Sequence, residues 1–401
     1  MTDLKRNVPE LRFPEFEGEW EEMPLNKKVE FYSGLTYSPD DITDEKGTFV
    51  VRSSNIKNNR LIDADNVYVV LKNLTIEKVK DGDIIVVVRN GSRKLIGKHA
   101  LVSSTLNNTV IGAFMTGIRT DNSLFINALL DTETFKRNIH MNLGATINQI
   151  TVGMFKKMKF YIPLDSEQQK IGDFFNKLDR QIELEEQKLA MLEEQKKGYM
   201  QKIFSQELRF KDDNGNDYPE WETNIVGELV SNSSEKYIPK ASEQLKDIEL
   251  DSIESNTGRL ISVYDSSEFS SQKNKFEKNQ VLYGKLRPYL NKFHFTTFNG
   301  VCSSEIWVLT TKNNTRLKNE FIYNFIQTNK FSLVANQSIG SKMPRADWNL
   351  IENIRLNTPS LNEQQKIGDF FSKLDRHIEL QNQKLERLKQ RKQGFLQKMF
   401  V

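Results

Sequence analysis

The chain has 401 residues, with 57 Lys and Arg against 54 Asp and Glu. Its formal charge of +3 gives no global pull toward polyanions, so any nucleic-acid surface must be local. The length suits two domains with connectors rather than one core. A single cysteine, Cys302, excludes an intrachain disulfide framework and a cysteine-rich metal centre. No apolar run nears the ~20 residues of a membrane-spanning helix, and the residues from Met1 to Arg6 do not read as a secretory leader, so a cytoplasmic protein with no membrane partner is expected.

In chain order, Glu10-Leu11-Arg12-Phe13 and Trp20-Glu21 lead into strand-like runs at 48–51, 67–70 and 83–88. Turn chemistry at Asn58-Asn59, Asp81-Gly82 and Asn90-Gly91 separates them. Gly144 falls near the end of this segment, and Pro163 precedes a helical pattern, where a helix start tolerates proline. Asp165 and Ser166 offer N-cap oxygens, with Glu167 near the positive end of the helix dipole. Phe175, Leu178, Ile182, Leu189, Leu192, Tyr199 and Ile203 then trace a coiled-coil seam in three- and four-residue steps. Glu185 and Lys196 interrupt it, as polar seam positions that set register do.

The chain next repeats itself. Glu207-Leu208-Arg209-Phe210 and Trp221-Glu222 open a second segment with strand-like runs at 280–283 and 304–309 and a helical stretch near 317–331. Gly340, Pro359 and a cap candidate, Asn362, follow. Glu-Gln-Gln-Lys-Ile-Gly-Asp-Phe-Phe then stands unchanged at 167–175 and 363–371, and the likeness runs on to Gln201-Lys202 and Gln397-Lys398. The second seam is Phe371, Leu374, Ile378, Leu385, Leu388, Phe395 and Met399, broken at Gln381 and Lys392. Acidic Glu183, Glu185, Glu186, Glu193 and Glu194 mark the first copy; basic Lys384, Arg387, Lys389, Arg391 and Lys392 mark the second. This favours pairing of one copy with the other over each helix packing only on its own domain. Such repeats, roughly 30–35 residues at about 1.5 Å each, would make a spacer on the order of 50 Å.

The predicted organisation is α/β: domains at 1–162 and 207–358, separated by helical repeats at 163–206 and 359–401 that form an antiparallel coiled coil with a pseudo-two-fold arrangement. Matched frames around unlike middles suit two domains doing one job on two targets.

Catalytic motifs are not apparent. There is no Asn-Pro-Pro-aromatic or Pro-Cys methyltransferase element and no glycine-rich cofactor turn. The stretch from Gly91 to Lys98 misses phosphate-loop spacing by one residue, with His99 where a hydroxyl is needed. His99, His140, His294 and His377 lack metal-ligand spacing, so no metal or catalytic residue is assigned. Base reading needs Arg, Lys, Asn, Gln, Ser or Thr at groove edges. The candidates in the first domain are Arg52, Ser53, Asn55, Arg89, Asn90, Ser92, Arg93, Lys94, Thr146, Asn148 and Gln149. In the second they are Lys285, Arg287, Tyr289, Lys292, Ser341, Lys342 and Arg345.

The proline, Glu-Gln-Gln-Lys-Ile, Phe-Phe, Leu-Asp module ending in a long helix, present twice after unlike segments, resembles the specificity subunit of type I restriction-modification systems. The resemblance covers essentially the whole chain. It implies two target recognition domains, each reading half of a bipartite double-stranded DNA site, and helices that separate them and dock two methyltransferase subunits. It also implies no catalysis and no cofactor on this chain. S-adenosylmethionine would belong to the modification subunits, and ATP and Mg2+ to restriction subunits of the full complex. A specificity subunit of a methyltransferase-only complex and a coiled-coil interaction scaffold are the alternatives.

Overall fold

The computed structural model describes residues 7–71, 76–104, 106–143, 148–240, 242–337 and 342–401. Its chain forms two compact units: residues 1–186 with 383–401, and residues 187–382. The sequence segments follow the repeat, whereas each compact unit takes the first part of one long helix and the last part of the other.

In the first unit, a four-stranded antiparallel sheet runs in the order Glu30–Ser33, Met115–Arg119, Ile84–Val87, His99–Leu101. A second four-stranded sheet contains Thr109–Ile111, Thr48–Val51, Val67–Val69 and Ile42–Thr43. Valine and isoleucine fill Ile84–Val87, a strand buried along its whole length, so its run is continuous rather than alternating. Helices Ser123–Leu130 and Glu133–Asn142 follow, and Thr132 between them accepts from the Phe135 N–H at 3.2 Å. Glu21–Pro24 then pairs antiparallel with Lys159–Ile162, closing the segment before the long helix starts.

The second unit repeats this plan. Val230–Ser231, Ile306–Thr311, Val281–Gly284 and Phe293–Phe295 form its antiparallel sheet, and Glu222–Ile225 pairs with Arg355–Thr358 to close it. The other sheet has five strands, with buried Lys273 held between Asp247, at 2.8 Å, and Glu249. The expected helical stretch near 317–331 is two helices, Asn319–Phe325 and Asn329–Ala335. Thr328 starts the second by accepting from the Phe331 N–H at 3.4 Å.

The long helices are Asp165–Phe204, 40 residues, and Leu361–Met399, 39 residues. Asp165, Ser166 and Asn362 lie inside the first turns rather than capping them. The N–H groups of Glu167 and Gln168 bond to the Leu164 carbonyl, and Glu363 N–H reaches the Ser360 hydroxyl at 3.4 Å. Gln168 and Gln364 fold back to donate to the carbonyls of Pro163, at 2.9 Å, and Pro359, at 2.8 Å. That leaves the motif glutamates free for another partner. Arg12 grips Glu167 with two bonds of 2.7 Å; Arg209 grips Glu363 at 3.2 and 2.9 Å, with the Trp221 indole at 3.1 Å. The Glu-Leu-Arg-Phe frame and the Glu-Gln-Gln module are thus two halves of one clasp.

Within each unit the helical pieces run antiparallel. In the first, Phe174 meets Phe395 at 5.0 Å and Lys384 pairs with Glu185 at 2.5 Å. In the second, Tyr199 meets Phe370 at 5.2 Å and Lys196 pairs with Asp375 at 2.7 Å. A phenylalanine from the far end of the opposite repeat completes each core. Phe400 packs on Trp20, Phe125 and Phe175, with ring centroids 6.1, 5.6 and 5.8 Å away. Phe204 packs on Trp221 and Phe321 at 6.4 and 5.2 Å.

Candidate nucleic-acid interface

The same local architecture occurs once in each unit. Past the end of Ile84–Val87 the chain meets the segment that precedes the long helix: Arg89 and Gln149 form an antiparallel bridge. Ile150 N–H donates to the Val88 carbonyl at 2.9 Å and Asn90 N–H to the Asn148 carbonyl at 3.3 Å. In the second unit Leu286 and Arg345 form that bridge. Ala346 N–H donates to the Lys285 carbonyl at 2.8 Å and Arg287 N–H to the Pro344 carbonyl at 2.7 Å.

Most first-unit candidates converge on this joint. Asn90 donates to the Ser53 hydroxyl at 3.2 Å, and Arg93 donates to the Asn148 side chain at 2.8 Å. Arg89, Ser92, Arg93 and Lys94 are exposed around it. Two candidates are committed elsewhere. Arg52 donates to the Asp65 carbonyl at 2.5 Å, and Asn55, 1% exposed, donates its amide to Ala64 and Asn66 at 2.6 and 3.0 Å. Thr146 and Ser341 lie outside the described residues.

In the second unit Lys285, Arg287 and Arg345 come together, with Lys342 exposed nearby in sequence. Arg345 donates to both oxygens of Glu305, each at 2.9 Å. That pairing, against opposing burial, holds the Glu305 carboxyl below its ordinary range. Lys292 is turned away and donates to the Leu250 carbonyl at 2.6 Å. Tyr289 is 59% exposed on a turn flanked by Arg287 and Asn291, both left-handed at φ 52° and 45°. A non-glycine pair in that region is unusual and marks a loop its surroundings hold in place. Beside it a cleft of about 800 Å3 reaches Asn256, Lys197, Lys330 and Arg355.

Two residues at these joints carry no sequence signal. Phe114 is 52% exposed and lies under the Arg89 guanidinium, 5.0 Å from its ring centroid; Glu305 is its counterpart. Only the strand register reveals that they are equivalent.

Of the seam candidates, Phe175, Ile182, Ile203, Phe371, Leu385, Leu388 and Met399 are buried, and Leu178, Leu189, Leu192, Leu374, Ile378 and Phe395 are half-buried. Tyr199 is 38% exposed, with Met200 buried beside it at 5%. Tyr199 still meets Phe370 of the other long helix, while Met200 turns into the core of the second unit.

The polar seam positions are fasteners. Lys392 bonds to Asp131 and Asp179, both at 2.6 Å, and Lys196 to Asp375 and Gln327, both at 2.7 Å. Burial would raise Asp131, but His99, Lys392 and Asn59 overcome it and hold the group below its usual range. Asp179 is raised, because burial outweighs Lys392. Among the described residues no cluster of three or more His, Cys, Asp or Glu could hold a metal ion, and no helix is long and apolar enough to cross a membrane.

The same frame is thus built twice and dressed with different polar loops. The family model described as "Type I restriction modification DNA specificity domain" matches residues 17–194 and 218–390, and the chain belongs to that family. It is 29% identical over 136 residues to the type I restriction enzyme EcoDI specificity subunit of Escherichia coli, covering 33% of this chain and 30% of that one. It is 25% identical over 195 residues to the StySPI specificity subunit of Salmonella potsdam, covering 46% and 42%. These matches therefore span less than half of either relative's length. The crystal structure of a type I restriction-modification system S subunit from M. genitalium aligns with a TM-score of 0.62 at 16% identity, covering 98% of this chain and 99% of that one. At that identity the likeness is one of fold.

Proposed function

We propose that this chain is the non-catalytic DNA-recognition subunit of a type I restriction-modification complex. Each unit reads one half of a bipartite duplex site, and the long helices set the spacing and dock two methyltransferase subunits. Adenine methylation then belongs to those partners with S-adenosylmethionine, and cleavage to restriction subunits using ATP and Mg2+.

The observation that carries this reading is the duplicated joint itself: the same strand-end and loop backbone occurs twice, with different polar side chains on each copy. Two equivalent backbones would offer base edges the same frame twice, and unlike side chains on it would give the two halves of the site different bases. A duplicated helix also offers one kind of partner two similar faces. Genome-wide mapping of methylated adenine in cells with and without this chain tests it. A two-part motif should be methylated only when the chain is present; an unchanged methylation pattern would defeat the proposal.

A further inference from the structure

The two joints share their backbone hydrogen-bond pattern and carry unlike side chains, and one of the positions the sheets make equivalent is the pair Phe114 and Glu305. Ile84 and Val87 pair with Ile118 and Met115; Val281 and Gly284 pair with Leu309 and Ile306. One step further, Val88 N–H donates to the Phe114 carbonyl and Lys285 N–H to the Glu305 carbonyl, both at 2.9 Å. Phe114 and Glu305 therefore occupy the same place, beside the bridges Arg89–Gln149 and Leu286–Arg345.

Their side chains do opposite things. Phe114 holds a large apolar ring half in solvent, 52% exposed, with the Arg89 guanidinium 5.0 Å from its centroid. What sets it apart from other exposed apolar side chains is its place: the ring carries the Arg89 guanidinium beside the Arg89–Gln149 bridge. Glu305 keeps its side chain 26% exposed while taking both arms of Arg345. A bare carboxylate would be repelled by a phosphate backbone; a bound guanidinium cancels that repulsion and lets it approach DNA.

We propose that Phe114 and Glu305 are the specificity-determining residues that make two equivalent joints read different bases of duplex DNA. The inference rests on the DNA-recognition reading above. In the major groove the thymine methyl is the apolar group a ring can contact, and Arg89, held on that ring, faces the neighbouring phosphate. An ionised carboxylate only accepts hydrogen bonds. Glu305 therefore selects the exocyclic amine of cytosine or adenine and rejects the acceptor edges of guanine and thymine.

The test takes the full chain with its methyltransferase subunits and selects from a pool of randomised duplex DNA, for the unaltered protein and for Phe114→Ala, Phe114→Gln and Glu305→Gln. The second Phe114 variant covers the case in which alanine loosens the turn, and thermal melting checks each fold. The unaltered complex should recover a two-part motif. The Phe114 variants should lose base preference in one half only, and Glu305→Gln in the other half only, each on the order of tenfold to a hundredfold. The salt dependence of binding should stay the same for the Phe114 variants, which change no charge, and steepen for Glu305→Gln, which frees the Arg345 guanidinium. Unchanged motifs, a uniform loss of affinity across all sequences, or effects of both residues on the same half would overturn the inference and leave DNA recognition standing. Failure of the unaltered complex to recover any motif would overturn DNA recognition itself, and this inference with it.

Discussion

Glu363 is 0% exposed and accepts from Arg209 and from the Trp221 indole, so its removal leaves the guanidinium hydrogen-bonded only to the Tyr218 and Pro219 carbonyls and orphans a buried N–H at once. Glu167 holds Arg12 in the same way, but the buried Trp20 indole N–H has no hydrogen-bond partner among the described residues. Glu363→Ala should therefore cost the second unit about 4 kcal/mol, in the range for breaking a buried ion pair. Glu167→Ala should cost the first about 1 kcal/mol less, for want of the indole bond. Urea denaturation followed by tryptophan fluorescence reads both, and equal losses would deny the indole bond a role. The glutamates were visible in the sequence as a repeated motif. Their partners were not, because Arg12 and Glu167 stand 155 positions apart, and a helix-dipole role needs no partner at all.

The long helices were the most legible elements, since a seam periodicity can be read along one chain. What that periodicity left unexplained was the lysine in each seam. Lys392 reaches Asp131 and Lys196 reaches Gln327, each at the end of a short helix in a segment whose sequence does not repeat. Lys392→Met strands two buried or half-buried carboxylates, whereas Lys196→Met strands Asp375 and a neutral amide. The first should cost about 3–5 kcal/mol and the second less. The sign with pH follows from Asp131, whose depressed value adds stability above the ordinary aspartate range, lost as pH falls through that value. The deficit of Lys392→Met should then be full at neutral pH and shrink below about pH 4, as the carboxylates protonate in both proteins. Asp179, raised by burial, opposes Asp131 and softens the slope. Thermal melts across that pH range check the trend, and a deficit that grew on acidification would contradict it. The equivalence of Phe114 and Glu305 was beyond sequence reading for another reason. Strands of three to five residues such as Thr109–Ile111 and Met115–Arg119 give too short a pattern to align, and pairing register exists only in three dimensions.

At the scale of the whole molecule, the duplication was legible and the exchange of parts was not. Repeat spacing groups each helix with the segment before it, while packing places Phe400 in the core of the first unit and Phe204 in that of the second. The joint that accomplishes this is the same in both. In the second unit Leu208 N–H bonds to the Lys202 carbonyl at 3.1 Å, and the chain runs directly from one to the other. In the first, Leu11 N–H makes the corresponding bond to the Lys398 carbonyl at 2.8 Å, and Glu10 pairs with Lys398 at 2.7 Å. The same backbone bond is thus made within a continuous stretch of chain in the second unit and between residues far apart in sequence in the first. A circularly permuted chain, begun at Glu207, carried through Val401 by a short linker into Asn7 and ended at Gln206, should melt within a few degrees of the original and select the same DNA. A corner held by one backbone bond and one ion pair does not need a peptide link through it to keep its form.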